Sequence, residues 1–309
     1  MMVASSDSAS GSGLHKLSPR RAARNVHLLL VASILVSIGC ASKRQSVDPD
    51  VLRVGVLPDD APEAIQRRHA PLVAYLSGAL NRHFDLIIPH SYEEFQRDTR
   101  AGRYDLVYFG GYTFVQQRER FVPLVMRDID TRFVSYFLVR PDDPAQTIMD
   151  LRGRKLSFGS RLSTSGHLMP RYFLKEMGIR PEEFFAEVQY SGSHDRTAAA
   201  VLNKEADVGV ANSQLIDNML QTGRLRPNSL RILWRTPPYP DYVWAVSKDL
   251  DKNLRDQILQ TFLDLSQADV GQREILAHQG ASFFLPADAE DFVPLERIAE
   301  EMGLLSSGP

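Results

Sequence analysis

Four short runs in this 309-residue chain carry side chains able to grip an anion: Ser91-Tyr92, Gly110-Gly111-Tyr112, Ser163-Thr164-Ser165-Gly166 and Ser193-His194. The densest is the third, which follows an apolar strand signal at Leu156 and Phe158. Three hydroxyls and a glycine stand there where a helix is expected to open and run to Met177. The first turn of a helix presents N–H groups with no internal partner and a partial positive charge. Hydroxyls add donors and the glycine lets a ligand approach closely, so the expected chemistry is an oxyanion seat. Ordinary N-capping by Ser163 explains the same serine without any ligand.

Ser163 or Ser165, His194 and Asp241 are also the residue types of an acyl-transfer triad. The chain has no G-x-S-x-G elbow, and a serine at a helix start serves better as a donor to a bound anion. It has no H-E-x-x-H, phosphate-loop or dinucleotide fingerprint, and no metal-ligand cluster is expected. Arg161, His167, His90 and Asp207 read as turn, surface, capping or solvent-facing residues. Tyr239, in the Pro-rich turn before Asp241, fits a crevice rim or plain packing equally.

The elements that must hold these runs alternate. Strands are expected at 51–57, 84–88, 104–109, 121–126, 133–139, 155–158, 188–190, 206–211, 230–234 and 242–246. Helical spacing of apolar residues marks 65–80 and 254–265, and helices are also expected from Glu93 and Tyr112, and over 144–151, 195–203, 213–221 and 288–302. Strands separated by helices predict an α/β fold with largely parallel sheet. The strands at 133–139 and 242–246 each fall at a shift between blocks, which predicts two lobes joined by two crossing strands. Residues 51–138 and 244–309 then form lobe one and 139–243 lobe two. Ligands bind in the crevice at the carboxyl ends of such strands.

Composition is that of an ordinary globular chain, 43% hydrophobic and 24% charged, with net charge −2. No global field draws in nucleic acid or acidic membrane. A single cysteine excludes an intramolecular disulfide. It sits at position 40, after Arg20, Arg21, Arg24 and a short apolar run over 28–39, which reads as a secretory signal too short to span a membrane. Cys40 after Gly39 resembles a bacterial lipobox, with Ser37 departing from its usual aliphatic residue, so residues 1–40 are expected to be a lipoprotein-type signal and 41–50 a tether. Residues 1–40 contain four basic residues and one acid, leaving 32 basic and 37 acidic residues, net −5. Local geometry, and not bulk charge, must attract an anion.

F-G-G-Y-T-F-V-Q (109–116), S-T-S-G (163–166), S-G-S-H-D (191–195), A-D-V-G-V-A-N (206–212) and P-Y-P-D-Y (238–242) together resemble the periplasmic phosphonate/phosphite-binding proteins of ABC importers. The resemblance runs in order over most of residues 51–285. It implies a type II periplasmic binding protein: two α/β lobes, joined by two hinge strands, that close on a phosphorus oxyanion and pass it to a permease. It also implies that Ser163, Thr164 and Ser165 hold the oxyanion, that His194 donates to it, and that Tyr92 closes over it. Asp241 matches a family carboxylate. A P–OH can donate to it, whereas fully deprotonated sulfate leaves it unpaired and repelled. Tyr112 is a further candidate contact. Gln214 stands where aminoethylphosphonate binders have a Glu for the ammonium, which turns the expectation toward phosphite, phosphate or methylphosphonate. Phe133 stands where those binders have a Tyr. The chain is expected to be a monomer without cofactor or catalysis. The alternatives are a lipid-anchored sensor reporting to a membrane partner, or the same fold holding another organic anion.

Overall fold

The structure, a computed structural model, describes residues 51–305; the segments expected to be a signal (1–40, with Cys40) and a tether (41–50) lie outside them. The first part of the chain runs β1 (Val51–Val56), α1 (Pro62–Leu80), β2 (His83–Ile87), α2 (Tyr92–Arg100), β3 (Leu106–Phe109), α3 (Gly111–Val115) and β4 (Phe121–Arg127). After a 3-10 turn at Asp128–Arg132 come β5 (Ser135–Val139), β6 (Lys155–Phe158), a π-helical turn at Thr164–Leu168 and α4 (Met169–Glu176). Then follow α5 (Pro181–Phe184), β7 (Glu187–Tyr190), α6 (His194–Leu202), β8 (Val208–Asn212), α7 (Ser213–Gln221) and β9 (Arg231–Arg235). The chain closes with β10 (Val243–Ser247), α8 (Lys252–Leu263), α9 (Val270–Gln279), β11 (Phe284–Pro286) and α10 (Val293–Glu301).

Local chemistry accounts for these boundaries. Pro62 begins α1, where a missing N–H costs nothing, and Asn81 ends it in the left-handed conformation. Its buried residues Ile65, His69, Leu72, Val73 and Leu76 recur at helical spacing and form one stripe. Ser91 caps α2 by accepting from the Glu94 N–H, and Glu94 reaches back to accept from the His90 N–H.

The strands form two sheets, ordered β11-β4-β10-β3-β1-β2 and β7-β6-β8-β5-β9. The expectation of largely parallel sheet is corrected: β1 is parallel to β2 and β3, and β6 to β7 and β8, but β10 runs antiparallel to both its neighbours and β5 to both of its own. The cause is the route of the chain. A strand–helix–strand unit returns the chain to the starting end of a sheet and gives parallel neighbours. β5 and β10 are each the first strand after the chain passes from one sheet to the other, so they enter from the opposite end.

The passing segments pair with each other. The Phe133 N–H donates to the Tyr239 carbonyl (2.8 Å) and the Tyr239 N–H to the Phe133 carbonyl (3.0 Å). The Asp241 N–H donates to the Asp130 carbonyl (3.0 Å) and the Thr236 N–H to the Ser135 carbonyl (3.1 Å). The first crossing begins at Phe133, the start of the strand expected at 133–139, and the second runs through 236–241, just ahead of the strand expected at 242–246. The reversal has a spatial result. The amino ends of β5 and β10 lie at the carboxyl ends of their partners, with Ser135 opposite Asn212 and Val243 opposite Phe109.

Candidate ligand-binding site

Ser163 does cap a helix start: its Oγ accepts from the Gly166 N–H at 2.9 Å. The turn it caps is wider than an α-helical one, with the Leu168 N–H reaching back to the Ser163 carbonyl (3.0 Å). Pro170 supplies the reason. In an α-helix the Gly166 carbonyl accepts from residue 170, and a proline has no N–H to give. The freed carbonyl accepts instead from the Gly159 N–H (2.9 Å), tying the turn to the end of β6. Gly166 has no room for a side chain, because a Cβ would sit 2.9 Å from His194 Cε1 and 3.0 Å from Ser163 Oγ. The Thr164 and Ser165 N–H groups begin the helix and face forward without intrahelical partners.

Around this turn stand Tyr92, His194 and Asp241, all buried. His194 Nδ1 accepts from the Asn212 main-chain N–H (3.2 Å). Burial holds its pKa below the ordinary value, so the ring is neutral and its proton is on Nε2. Nε2–H is buried with no partner. Asp241 Oδ1 accepts from the Gly111 N–H (2.9 Å), while Oδ2 is buried and unpartnered. Tyr92 Oη and Ser165 Oγ are likewise buried without a partner that meets hydrogen-bond geometry. Tyr92 lies beside Ser163, and Asp241 beside Thr164 and Ser165. Gly110 keeps this space open: a Cβ there would meet Thr164 Oγ1 at 3.3 Å and Asp241 Oδ1 at 3.6 Å.

Burial pushes the Asp241 carboxyl up to about 7, against the opposing help of the Gly111 N–H and the Thr164 hydroxyl. Among the described residues no cationic side chain hydrogen-bonds to this group. Arg161 stacks on Tyr190 (3.7 Å to the ring centre), away from the seat. Arg68 and Arg224 are held by Asp59 and Asp60. The arrangement can therefore offer an oxyanion neutral donors (Tyr92 O–H, Ser165 O–H, His194 Nε2–H and two amides) and one carboxyl oxygen.

Two expected contacts fall elsewhere. The Tyr112 hydroxyl donates to the Leu304 carbonyl (2.6 Å); its main-chain N–H is what reaches the site, donating to Thr164 Oγ1 (3.0 Å). Gln214 lines a neighbouring cavity of ≈ 100 Å³ with Asp59, Arg68, Arg127 and Tyr242, and none of Tyr92, Ser165, His194 or Asp241 lines it. His167 is not a surface residue: it is buried, with Nδ1–H donating to the Arg161 carbonyl (2.8 Å) and Nε2 accepting from Arg171 (3.1 Å). Tyr239 is buried beneath the seat, its hydroxyl on Ser135 Oγ. No triad is assembled, since His194 Nδ1 faces an amide and Asp241 faces Gly111.

Sequence reasoning missed the supporting residues. The Tyr242 hydroxyl donates to Asp59 Oδ2 (3.0 Å) and accepts from Asn212 Nδ2 (2.8 Å), and the Asp59 carbonyl accepts from the His194 N–H (3.1 Å). Asn212 and Tyr242 become neighbours only through the reversed strands, which no local pattern announces.

The family profile described as "ABC transporter, phosphonate, periplasmic substrate-binding protein" matches residues 54–292. The chain belongs to this phosphonate-binding family. It is 30% identical over 290 residues to the Prochlorococcus marinus (strain MIT 9301) protein named "Probable ABC transporter phosphite binding protein PhnD1", covering 89% of this chain and 97% of that one. The solved structure of that PhnD1 in complex with methylphosphonate superposes with a TM-score of 0.79, covering 84% of this chain and all of that one. The phosphonates-binding periplasmic protein of Escherichia coli (strain K12) is 22% identical over 258 residues, 80% of this chain and 75% of the other. Family membership makes the chain a periplasmic substrate-binding component of the type II fold that works with a membrane permease.

Proposed function

We propose that the chain captures a singly protonated phosphorus oxyanion (phosphite, phosphate or a small alkylphosphonate) between Ser163-Thr164-Ser165, Tyr92, His194 and Asp241, and delivers it to an ABC importer. One observation carries the reading: the four buried polar atoms without partners around the turn are three donors and one carboxyl oxygen. Unpaired buried polar groups are costly, and a ligand that satisfies all four removes the cost. An oxyanion bearing one O–H does so, with its free oxygens on the donors and its proton on Asp241. Above about pH 7, where Asp241 is ionised, sulfate offers no proton and meets a buried carboxylate, so it is rejected.

The reading is of a binding protein and not an enzyme, because its groups are fixed donors with no activated nucleophile. Closure takes place between the lobe built on the first sheet and the lobe built on the second, bending at the paired crossings ahead of β5 and β10, so that β5 (Ser135–Val139) moves with lobe two and the boundary expected at 138/139 shifts to about residue 134. The protein acts as a monomer, held to the membrane by a lipid on Cys40. Isothermal titration of the purified protein with phosphite, methylphosphonate, aminoethylphosphonate, phosphate and sulfate tests the ligand. Tight binding of one phosphorus oxyanion with sulfate silent is the expected result. Binding of sulfate as tight as the best phosphorus ligand, or silence throughout from folded protein, overturns it.

A further inference from the structure

Ser135, the first residue of β5, is fully buried and lies on three structures at once. Its N–H donates to Thr236 Oγ1 (2.9 Å) and its carbonyl accepts from the Thr236 N–H (3.1 Å), so its main chain is clasped to the second crossing. Its Oγ is 2.7 Å from the Ser165 carbonyl and 2.5 Å from the Tyr239 hydroxyl. Proton accounting fixes the direction of this chain. A carbonyl only accepts, so the Ser135 hydrogen is spent on Ser165. Ser135 Oγ must then accept from Tyr239, and the Tyr239 hydrogen is spent too. Tyr239 has no hydrogen left for Ser165 Oγ, which lies close enough to bear on the acidity of Tyr239. Toward Tyr239, Ser165 can therefore only donate, which leaves its hydrogen to Tyr239, Asp241 or a ligand.

We propose that Ser135 is a positioning residue for the anion seat. It holds the Ser165 carbonyl in place, and by consuming the Tyr239 hydrogen it makes Ser165 a donor aimed at the ligand. Because its main chain is paired with the second crossing, the seat takes this form only while the two crossings are in register. The inference rests on reading residues 163–165 as the seat.

The test measures phosphite and methylphosphonate affinity for Ser135→Ala, Tyr239→Phe, the double variant and Ser165→Ala. Ser135→Ala strands a buried carbonyl and frees Tyr239 to donate into the seat, so affinity should fall roughly tenfold to a hundredfold. Tyr239→Phe leaves the Ser135–Ser165 bond intact and should cost less. The double variant should bind no worse than Ser135→Ala, because Tyr239 acts through Ser135, and losses that add would mean that the two side chains act on the seat independently. Ser135→Thr, which keeps the hydroxyl, should recover most of the affinity. If Ser135→Ala does not fold, Ser135→Cys, whose thiol is a weak donor, carries the same comparison. Wild-type affinity in Ser135→Ala (or in Ser135→Cys), or additive losses in the double variant, overturns the proposal. Wild-type affinity in Ser165→Ala overturns instead the reading of the seat on which it rests.

Discussion

Asp241→Asn separates the cost of the carboxyl from its use. Burial lifts the group from its ordinary value of 3.8 to about 7. With one pKa unit worth about 1.4 kcal/mol, the ionised form costs the folded protein on the order of 4 kcal/mol. In the unfolded chain the carboxyl titrates near its ordinary value. At about pH 4 and below, both states hold the proton and the cost is absent. The cost grows as pH rises toward 7, where the folded carboxyl titrates, and is complete above it. Asparagine keeps an oxygen for the Gly111 N–H, never ionises, and gives its N–H groups to the Thr164 and Ser165 hydroxyl oxygens. The ligand-free variant should therefore match the wild type near pH 4 and exceed it by up to about 4 kcal/mol near pH 8. Urea melts across that range measure the difference directly, and titration with phosphite and sulfate should show the preference between them shrinking. An equal stability difference at both ends of the range, or a variant less stable than wild type near pH 8, would refute the account of Asp241.

Two further outcomes test other parts of the geometry. Arg224 pairs with Asp60, which is also braced by Arg68 (3.2 Å), across the two halves. Arg224→Gln should weaken ligand binding by roughly fivefold to thirtyfold through faster release, as a loss of about 1–2 kcal/mol at a half-buried pair predicts. Stopped-flow dissociation is the assay, and unchanged release rates would count against a clasp. Tyr112→Phe removes only the bond to Leu304, so it should lower stability by about 1 kcal/mol and leave affinity at the wild-type value. A tenfold affinity loss in calorimetry would return the Tyr112 ring to the site.

Much of the seat was legible because it rests on local chemistry. Ser163 is a cap whether or not a ligand is present, and the hydroxyl run, Gly166 and His194 stand at strand ends, where ligands collect. Tyr112 shows where that reasoning stops: a residue can stand in the right run while its side chain leaves in another direction. Ser135 and Asp59 carry no motif at all, and Asn212 only closes the run 206–212 without any sign of its partner. They matter through long-range pairing, 77 residues apart for Ser135 and Asn212, set by which end each strand enters. Among the elements, α9 was overlooked because it buries only Leu276 and Gln279, too few to mark a stripe. β11 was missed because three residues leave no period to read.

Among the described residues, the pairing of Arg68 and Arg224 with Asp59 and Asp60 leaves the proposed seat with no uncompensated cation. An anion site built on a bare arginine owes part of its grip to Coulomb attraction, which dissolved salt screens with a Debye length of about 10 Å at 0.1 M. On the reading proposed above, the grip comes from oriented dipoles at hydrogen-bond range, shielded from solvent by burial, and screening reaches them poorly. Chloride and other simple anions, plentiful outside the cytoplasm, find no free charge to sit on and no carboxyl they can satisfy. A protein of that design recognises its ligand by where the hydrogens are rather than by how much charge it bears, and its selectivity is expected to hold as the salinity of the surroundings changes.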